Sequence, residues 1–360
     1  MHFRIITVLF LLVILVYSCS KQDDLPDVNR SEVNIDDNYQ YNASNNAEAK
    51  LGRFLFYEKA LSVNDAVSCG SCHKQQFAFA DNAVGSVGFN QQVTSRNSPP
   101  IQNIQQFGFV GPDQTGGVSL FWDGRREGLN QMVLDPVMNH IEMGMRSEED
   151  LVDRISTISY YKPLFEDAYG SEEVSITKIR NAMVSFVGSM ISTGSKFHAA
   201  EFGAINYSAL EQTGRDLFFN KYDCESCHRI QEPAGYDVAA SNSLKFVNIG
   251  LDINSQDQGR ADVTGNPEDV GRFKIPNLNN ITLTAPYMHD GRFATLDEVL
   301  DHYSVGVKNN PNLDDRLKDQ NGNPMVLNIT EEEKRAMKAF LQTLQDNNFI
   351  SDPKFSDPFN

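Results

Sequence analysis

Two pentapeptides carry the chemistry of this chain. Cys69-Gly70-Ser71-Cys72-His73 and Cys224-Glu225-Ser226-Cys227-His228 each set two thiols three positions apart with an imidazole next in line. The 360 residues hold 5 Cys and 7 His, a composition that gives about 0.001 chance occurrences of C-x-x-C-H; there are two. The spacing is that of c-type haem attachment. Both thiols add across vinyl groups to form thioethers, and the adjacent His supplies the proximal nitrogen to iron. A zinc ribbon would use pairs roughly 15–20 residues apart, whereas these lie 155 positions apart, from 69 to 224. A thioredoxin-like redox pair needs a βαβ context, and none is visible. Disulfides are open to an exported chain, but they leave the two adjacent histidines unexplained. Haem also provides the core that loop-rich domains lack.

The elements around the motifs repeat. Gly52-Arg53-Phe54-Leu55-Phe56 precedes the first motif and Gly214-Arg215-Asp216-Leu217-Phe218 the second. Pro100-Ile101-Gln102-Asn103 is echoed by Pro276-Asn277-Leu278-Asn279, and Asp123-Gly124-Arg125 with Leu129 by Asp290-Gly291-Arg292 with Leu296. The same landmarks in one order indicate a duplication. The predicted fold is mainly α and loop-rich, two cytochrome-c-like haem domains over 47–200 and 201–346, with a C-terminal tail over 347–360. Ser147 opens a helix as a near capping box, with Asp150 in the acidic place, and Thr330 opens another with Glu333. Ile179, Met183, Phe186, Val187 and Met190 share one helical face and read as core. Asp81–Gly117 and Gly250–Asn280 show neither period and read as ordered loops.

The N-terminus reads as an export signal over 1–19. Arg4 precedes an apolar run from Ile5 to Val16, too short for a permanent span, then Tyr17-Ser18-Cys19. Cys19 stands where a bacterial lipoprotein carries its lipid anchor. Residues 20–46 are polar and read as a flexible tether. The expected location is therefore the cell envelope, as a periplasmic lipoprotein on the outer membrane. With 31 basic against 48 acidic residues the net charge is −17. That argues against nucleic acid, which demands a Lys/Arg excess, and favours basic protein partners.

Taken together, Leu51-Gly52-Arg53-Phe54-Leu55-Phe56, Leu61-Ser62, Ser68-Cys69-Gly70-Ser71-Cys72-His73, Arg96-Asn97-Ser98-Pro99, Phe121-Trp122-Asp123-Gly124-Arg125, Glu142-Met143-Gly144 and Thr284-Ala285-Pro286-Tyr287-Met288-His289-Asp290-Gly291 resemble one family. It is the bacterial di-haem cytochrome c peroxidases, with their MauG-type relatives that mature methylamine dehydrogenase. The resemblance spans about residues 48–346. It implies two covalently bound haem c groups, the peroxide-binding one N-terminal and the electron-transfer one C-terminal. Haem iron 1 would be held by His73 and haem iron 2 by His228.

The repeat bears on the remaining ligands. Superimposing the two Asp-Gly-Arg segments sets Pro136 opposite Tyr303. Proline offers iron no donor atom, whereas a phenolate is a haem ligand. The second haem is then six-coordinate and the first open. The resemblance agrees: the residue matching Tyr303 is Met in the peroxidase branch and Tyr in MauG-type members. His302 or Met288 is the alternative ligand. Peroxidase members also carry a blocking His where Phe89 stands, and His140 is the nearest substitute. Glu142 matches the family's distal catalytic Glu, and Trp122 the Trp that relays electrons between haems. A distal Gln of the family falls on Met132, with Gln131 one position early. A calcium ion between the domains would take Asn97, Thr284 and Pro286.

The expected function is reduction of hydrogen peroxide to water with electrons from a small c-type cytochrome or a similar redox protein. The alternative is a MauG-type oxidase acting on a protein substrate, which Tyr303 and Phe89 favour. A homodimer is the one further association the sequence leaves open.

Overall fold

The computed structural model describes residues 46–104, 119–230 and 246–359. The export signal, Cys19 and the tether up to residue 45 lie outside the described residues. In chain order the helices are α1 (Asn46–Tyr57), α2 (Cys69–Cys72), α3 (Leu129–Met132), α4 (Asp135–Met138), α5 (Glu148–Thr157), α6 (Tyr161–Tyr169), α7 (Ile176–Gly188), α8 (Lys196–Glu201), α9 (Ala209–Asp216), α10 (Ala261–Thr264), α11 (Leu296–Asp301) and α12 (Glu331–Gln342). Short 3-10 and π-helical turns and two short antiparallel ribbons complete the described elements. β1 (Ser119–Leu120) pairs with β2 (Arg126–Glu127), and β3 (Phe246–Val247) with β4 (Phe273–Lys274). The chain is thus mostly helical and loop-rich, as its sequence predicts.

The repeated Gly-Arg segments exist because two helix pairs cross at van der Waals distance. A Cβ on Gly52 of α1 would stand 1.9 Å from the Ala182 carbonyl oxygen of α7. A Cβ on Gly214 of α9 would stand 2.0 Å from the Ala336 oxygen of α12. Only glycine permits either approach. Matching ring pairs lock each crossing, Phe56 on Phe186 at 5.3 Å and Phe218 on Phe340 at 5.4 Å. The duplication read from sequence is therefore a duplication of packing. All five residues of the predicted α7 face are buried, and the Ser147 and Thr330 hydroxyls cap α5 and α12.

The halves meet along a buried polar seam. Gln102 Nε2 donates to the Asn279 carbonyl at 2.5 Å, and Asn280 Nδ2 donates to Gln102 Oε1 at 2.6 Å. Asp346 accepts from the Gly194 amide at 2.7 Å, and its own amide donates to Asn280 Oδ1 at 2.6 Å. The described residues belong to one compact unit. The loop reading of 250–280 is incomplete: the segment contains α10 and β4, both too short to leave a period in the sequence. Residues 347–359 fold back over the N-terminal half, with Phe349 and Phe355 buried against Phe79.

Candidate active site

The first C-x-x-C-H motif forms the one-turn helix α2. Ser68 and Ser71 cap that turn reciprocally, and Gly70 lies under the Tyr57 ring. His73 Nδ1 donates to the Phe79 carbonyl at 2.8 Å. In the second motif His228 Nδ1 donates to the Pro276 carbonyl at 3.2 Å. Burial lowers the pKa of His73 and pushes that of His228 down to about 4. Each ring is therefore neutral, with Nδ1 committed and the Nε2 lone pair free, the arrangement of a metal-ligating imidazole. The four motif cysteines form no disulfide. Burial raises Cys69 and Cys224 to about 12 and Cys72 to about 11. Reactive redox dithiols have lowered values, which these buried thiols do not share.

Glu142 sits on a tight loop over α2. Its amide donates to Asn139 Oδ1 at 3.3 Å, and its carbonyl accepts the Phe89 amide at 2.9 Å. The half-buried carboxyl is pushed up by desolvation, held back by the Arg125 cation and raised again by Asp135. Its charge adds slightly to the burial-raised pKa values of Cys69 and Cys72, so it lies near the first motif. Arg125 stands over the Phe121 ring at 3.5 Å and pairs with Asp123 at 3.0 Å. The Phe89 ring covers Gly144. His140 and Gln131 are exposed, and Gln131 Oε1 accepts the Glu127 amide at 3.4 Å. Pro136 is half-buried at the start of α4.

A cavity of 1130 Å³ opens beside the second motif, lined by Cys224, Cys227, His228, Tyr303, Trp122 and Lys274 among others. It exceeds the roughly 300–1,000 Å³ of ordinary ligand pockets. Tyr303 lies in a π-helical turn, His302–Gly306, that continues α11; such turns recur at functional sites. Burial raises its phenol above the ordinary range, and the neighbouring Cys227 and Cys224 add to the rise. Met288 also lines the cavity. His302 does not: its Nε2 donates to the Ile249 carbonyl at 2.9 Å. Trp122 Nε1 donates to the Asn97 carbonyl at 2.8 Å, and its own carbonyl accepts the Lys274 amide at 2.7 Å. Asn97, Thr284 and Pro286 share this wall.

Sequence reasoning missed Lys274. Burial alone pushes its ammonium down to about 8, and no hydrogen bond or ion pair meets it among the described residues. It followed a Phe in a loop without period and carried no signal. Arg125, whose charge acts on Glu142, is a repeat landmark and part of a family motif in the sequence, with no role attached to it there.

Residues 46–204 match the family described as di-haem cytochrome c peroxidase. Cytochrome c551 peroxidase of Nitrosomonas europaea is 33% identical over 258 residues, 70% of this chain and 71% of that one. Methylamine utilization protein MauG of Methylorubrum extorquens is 31% identical over 301 residues, covering 82% and 77%. The crystal structure of a MauG-like protein associated with microbial copper homeostasis superposes with a TM-score of 0.72 at 34% identity, over 87% of this chain and 93% of that one.

A duplicated fold with one C-x-x-C-H motif in each half defines a di-haem, c-type haem peroxidase, an oxidoreductase. The chain belongs to the di-haem cytochrome c peroxidase family, whose members carry two haem c groups. The residues fit that cofactor: a large cavity, a neutral imidazole, two thiols and an ammonium without a counter-charge suit a flat iron macrocycle with anionic propionates. No helix among the described residues is long and apolar enough to cross a membrane.

Proposed function

We propose that the protein reduces hydrogen peroxide to water, two electrons and two protons being consumed per peroxide, with a small c-type cytochrome or similar redox protein as donor. Haem c held by Cys69, Cys72 and His73, and by Cys224, Cys227, His228 and Tyr303, supplies the redox-active iron of both halves. Glu142 takes the proton from the inner peroxide oxygen and returns it to the outer one, which then leaves as water. Arg125 keeps enough of Glu142 ionised to start that shuttle. Trp122, on the wall between the halves and fixed through its indole N–H and its carbonyl, relays the electrons. Phe89 and Pro136 bring no donor atom to the N-terminal site, which leaves room for peroxide. The observation that carries the reading is a desolvated carboxyl near the first motif. Steady-state oxidation of reduced cytochrome c by peroxide tests it.

Tyr303 favours a second reading, a MauG-type oxidase that draws electrons out of a protein substrate through the same Trp122. No cluster of three or more His, Cys, Asp or Glu side chains suited to a metal occurs among the described residues. The family resemblance assigns a calcium ion to oxygens of Asn97, Thr284 and Pro286, the hard donors it prefers, and all three residues line one wall of the cavity. Residues 1–19 and Cys19 support export and lipid anchoring at the cell envelope.

A further inference from the structure

We infer that the C-terminal strap, residues 347–359, positions the proximal imidazole of the N-terminal haem, acting through Phe79. The inference rests on the reading that His73 binds that haem. The hydrogen bond that orients His73 comes from the Phe79 carbonyl. Phe79 and Ala78 before it both lie in the left-handed region, with φ of 62° and 52°. Two consecutive side-chain-bearing residues there do not hold that turn unaided.

What holds it is a ring cage, and the strap supplies two of its three rings. The fully buried Phe79 ring meets Phe56 at 6.0 Å from α1, then Phe349 at 5.6 Å and Phe355 at 6.1 Å from the strap. The strap is pinned along its length. Gln75 Nε2, two residues after His73, donates to the Asp352 carbonyl at 2.9 Å and to the Phe349 carbonyl at 3.3 Å. Tyr57 Oη donates to the Phe355 carbonyl at 2.7 Å, and Arg53 donates to the Ser356 carbonyl at 2.6 Å. At the root, Asp346 accepts the Phe349 amide at 3.1 Å while bound into the seam between the halves. The C-terminal half thus reaches across to set the tilt and basicity of the imidazole in the other half. A hydrogen-bonded imidazole is the stronger donor to iron, so a relaxed cage should weaken the iron–histidine bond and favour the reduced haem.

The test uses the full di-haem protein with Phe355→Leu and, because a core variant can unfold, Gln75→Ala at the rim. Resonance Raman of the reduced protein reads the iron–histidine stretch, and a redox titration reads both potentials. The expected result is a lowered stretch and a three- to tenfold shift toward the reduced N-terminal haem, tenfold being about 59 mV. The C-terminal haem should not move, and Phe355→Met should recover most of the stretch frequency. Lower thermal stability with both N-terminal readouts unchanged would overturn the inference and make the strap a packing element only. Unchanged ligation of the N-terminal haem in a His73→Ala variant would overturn the His73 reading itself, and the inference with it.

Discussion

Replacing Glu142 by Gln isolates the proton shuttle. The two side chains have nearly the same shape, and the bonds that fix the loop run through backbone atoms of residue 142 to Asn139 and Phe89. Position is therefore kept and only proton transfer is lost. General acid–base catalysis is worth about 10²–10⁴, or about 2.7–5.5 kcal/mol at about 1.36 kcal/mol per tenfold. Desolvation raises the Glu142 pKa, nearer working pH, which places the loss near the middle, about 10³. The assay is steady-state oxidation of reduced cytochrome c by peroxide, with haem content measured in parallel. A base works deprotonated, so turnover should fall as pH drops through this raised pKa, above the ordinary carboxylate range. Arg125 lowers that pKa and Asp135 raises it. Arg125→Gln should move the acid limb to higher pH and Asp135→Asn to lower pH. Wild-type-like turnover in fully loaded Glu142→Gln, or an acid limb indifferent to Arg125, would refute the shuttle.

Gly52→Ala forces a Cβ onto a backbone oxygen of α7; overpacking of this kind costs about 3 kcal/mol, read as a Tm lower by roughly 6–12 °C. Lys274→Met should lower the midpoint potential of the C-terminal haem. A unit charge lining that cavity contributes on the order of 1 kcal/mol at an effective dielectric of about 20, a shift of some tens of millivolts in a redox titration; an unchanged potential would remove Lys274 from the cofactor site. Tyr303→Met should keep that haem six-coordinate and raise its potential by on the order of 100 mV, within the ~0.8 V span of axial ligands. Loss of the low-spin spectrum altogether would mean that the thioether cannot reach the iron.

What the sequence made legible was what repeats or what is chemically rare. The two C-x-x-C-H motifs, the Gly-Arg segments, the α7 face and the caps of α5 and α12 all carry local patterns, and each is realised locally. Glu142 and Trp122 became readable through resemblance, since one acid and one indole carry no pattern of their own. Lys274 was invisible because what marks it, burial without an ion pair among the described residues, is a property of three dimensions. The strap was read as a tail because its 14 positions, 347–360, are mostly polar. Its three aromatics, Phe349, Phe355 and Phe359, were the available signal. Phe349 and Phe355 bury against Phe79, some 270 residues earlier, while the exposed Phe359 ring meets Phe54 of α1 at 5.6 Å.

The central claim is that the N-terminal site is open and the C-terminal one closed by Tyr303 before any electron arrives. EPR of the fully oxidised protein, followed by stopped-flow mixing with peroxide, tests it most directly. The account predicts one high-spin and one low-spin signal and reaction with peroxide without prior reduction. Two low-spin signals, with reactivity only after one-electron reduction, would contradict it and make His140 the first residue to examine as the block.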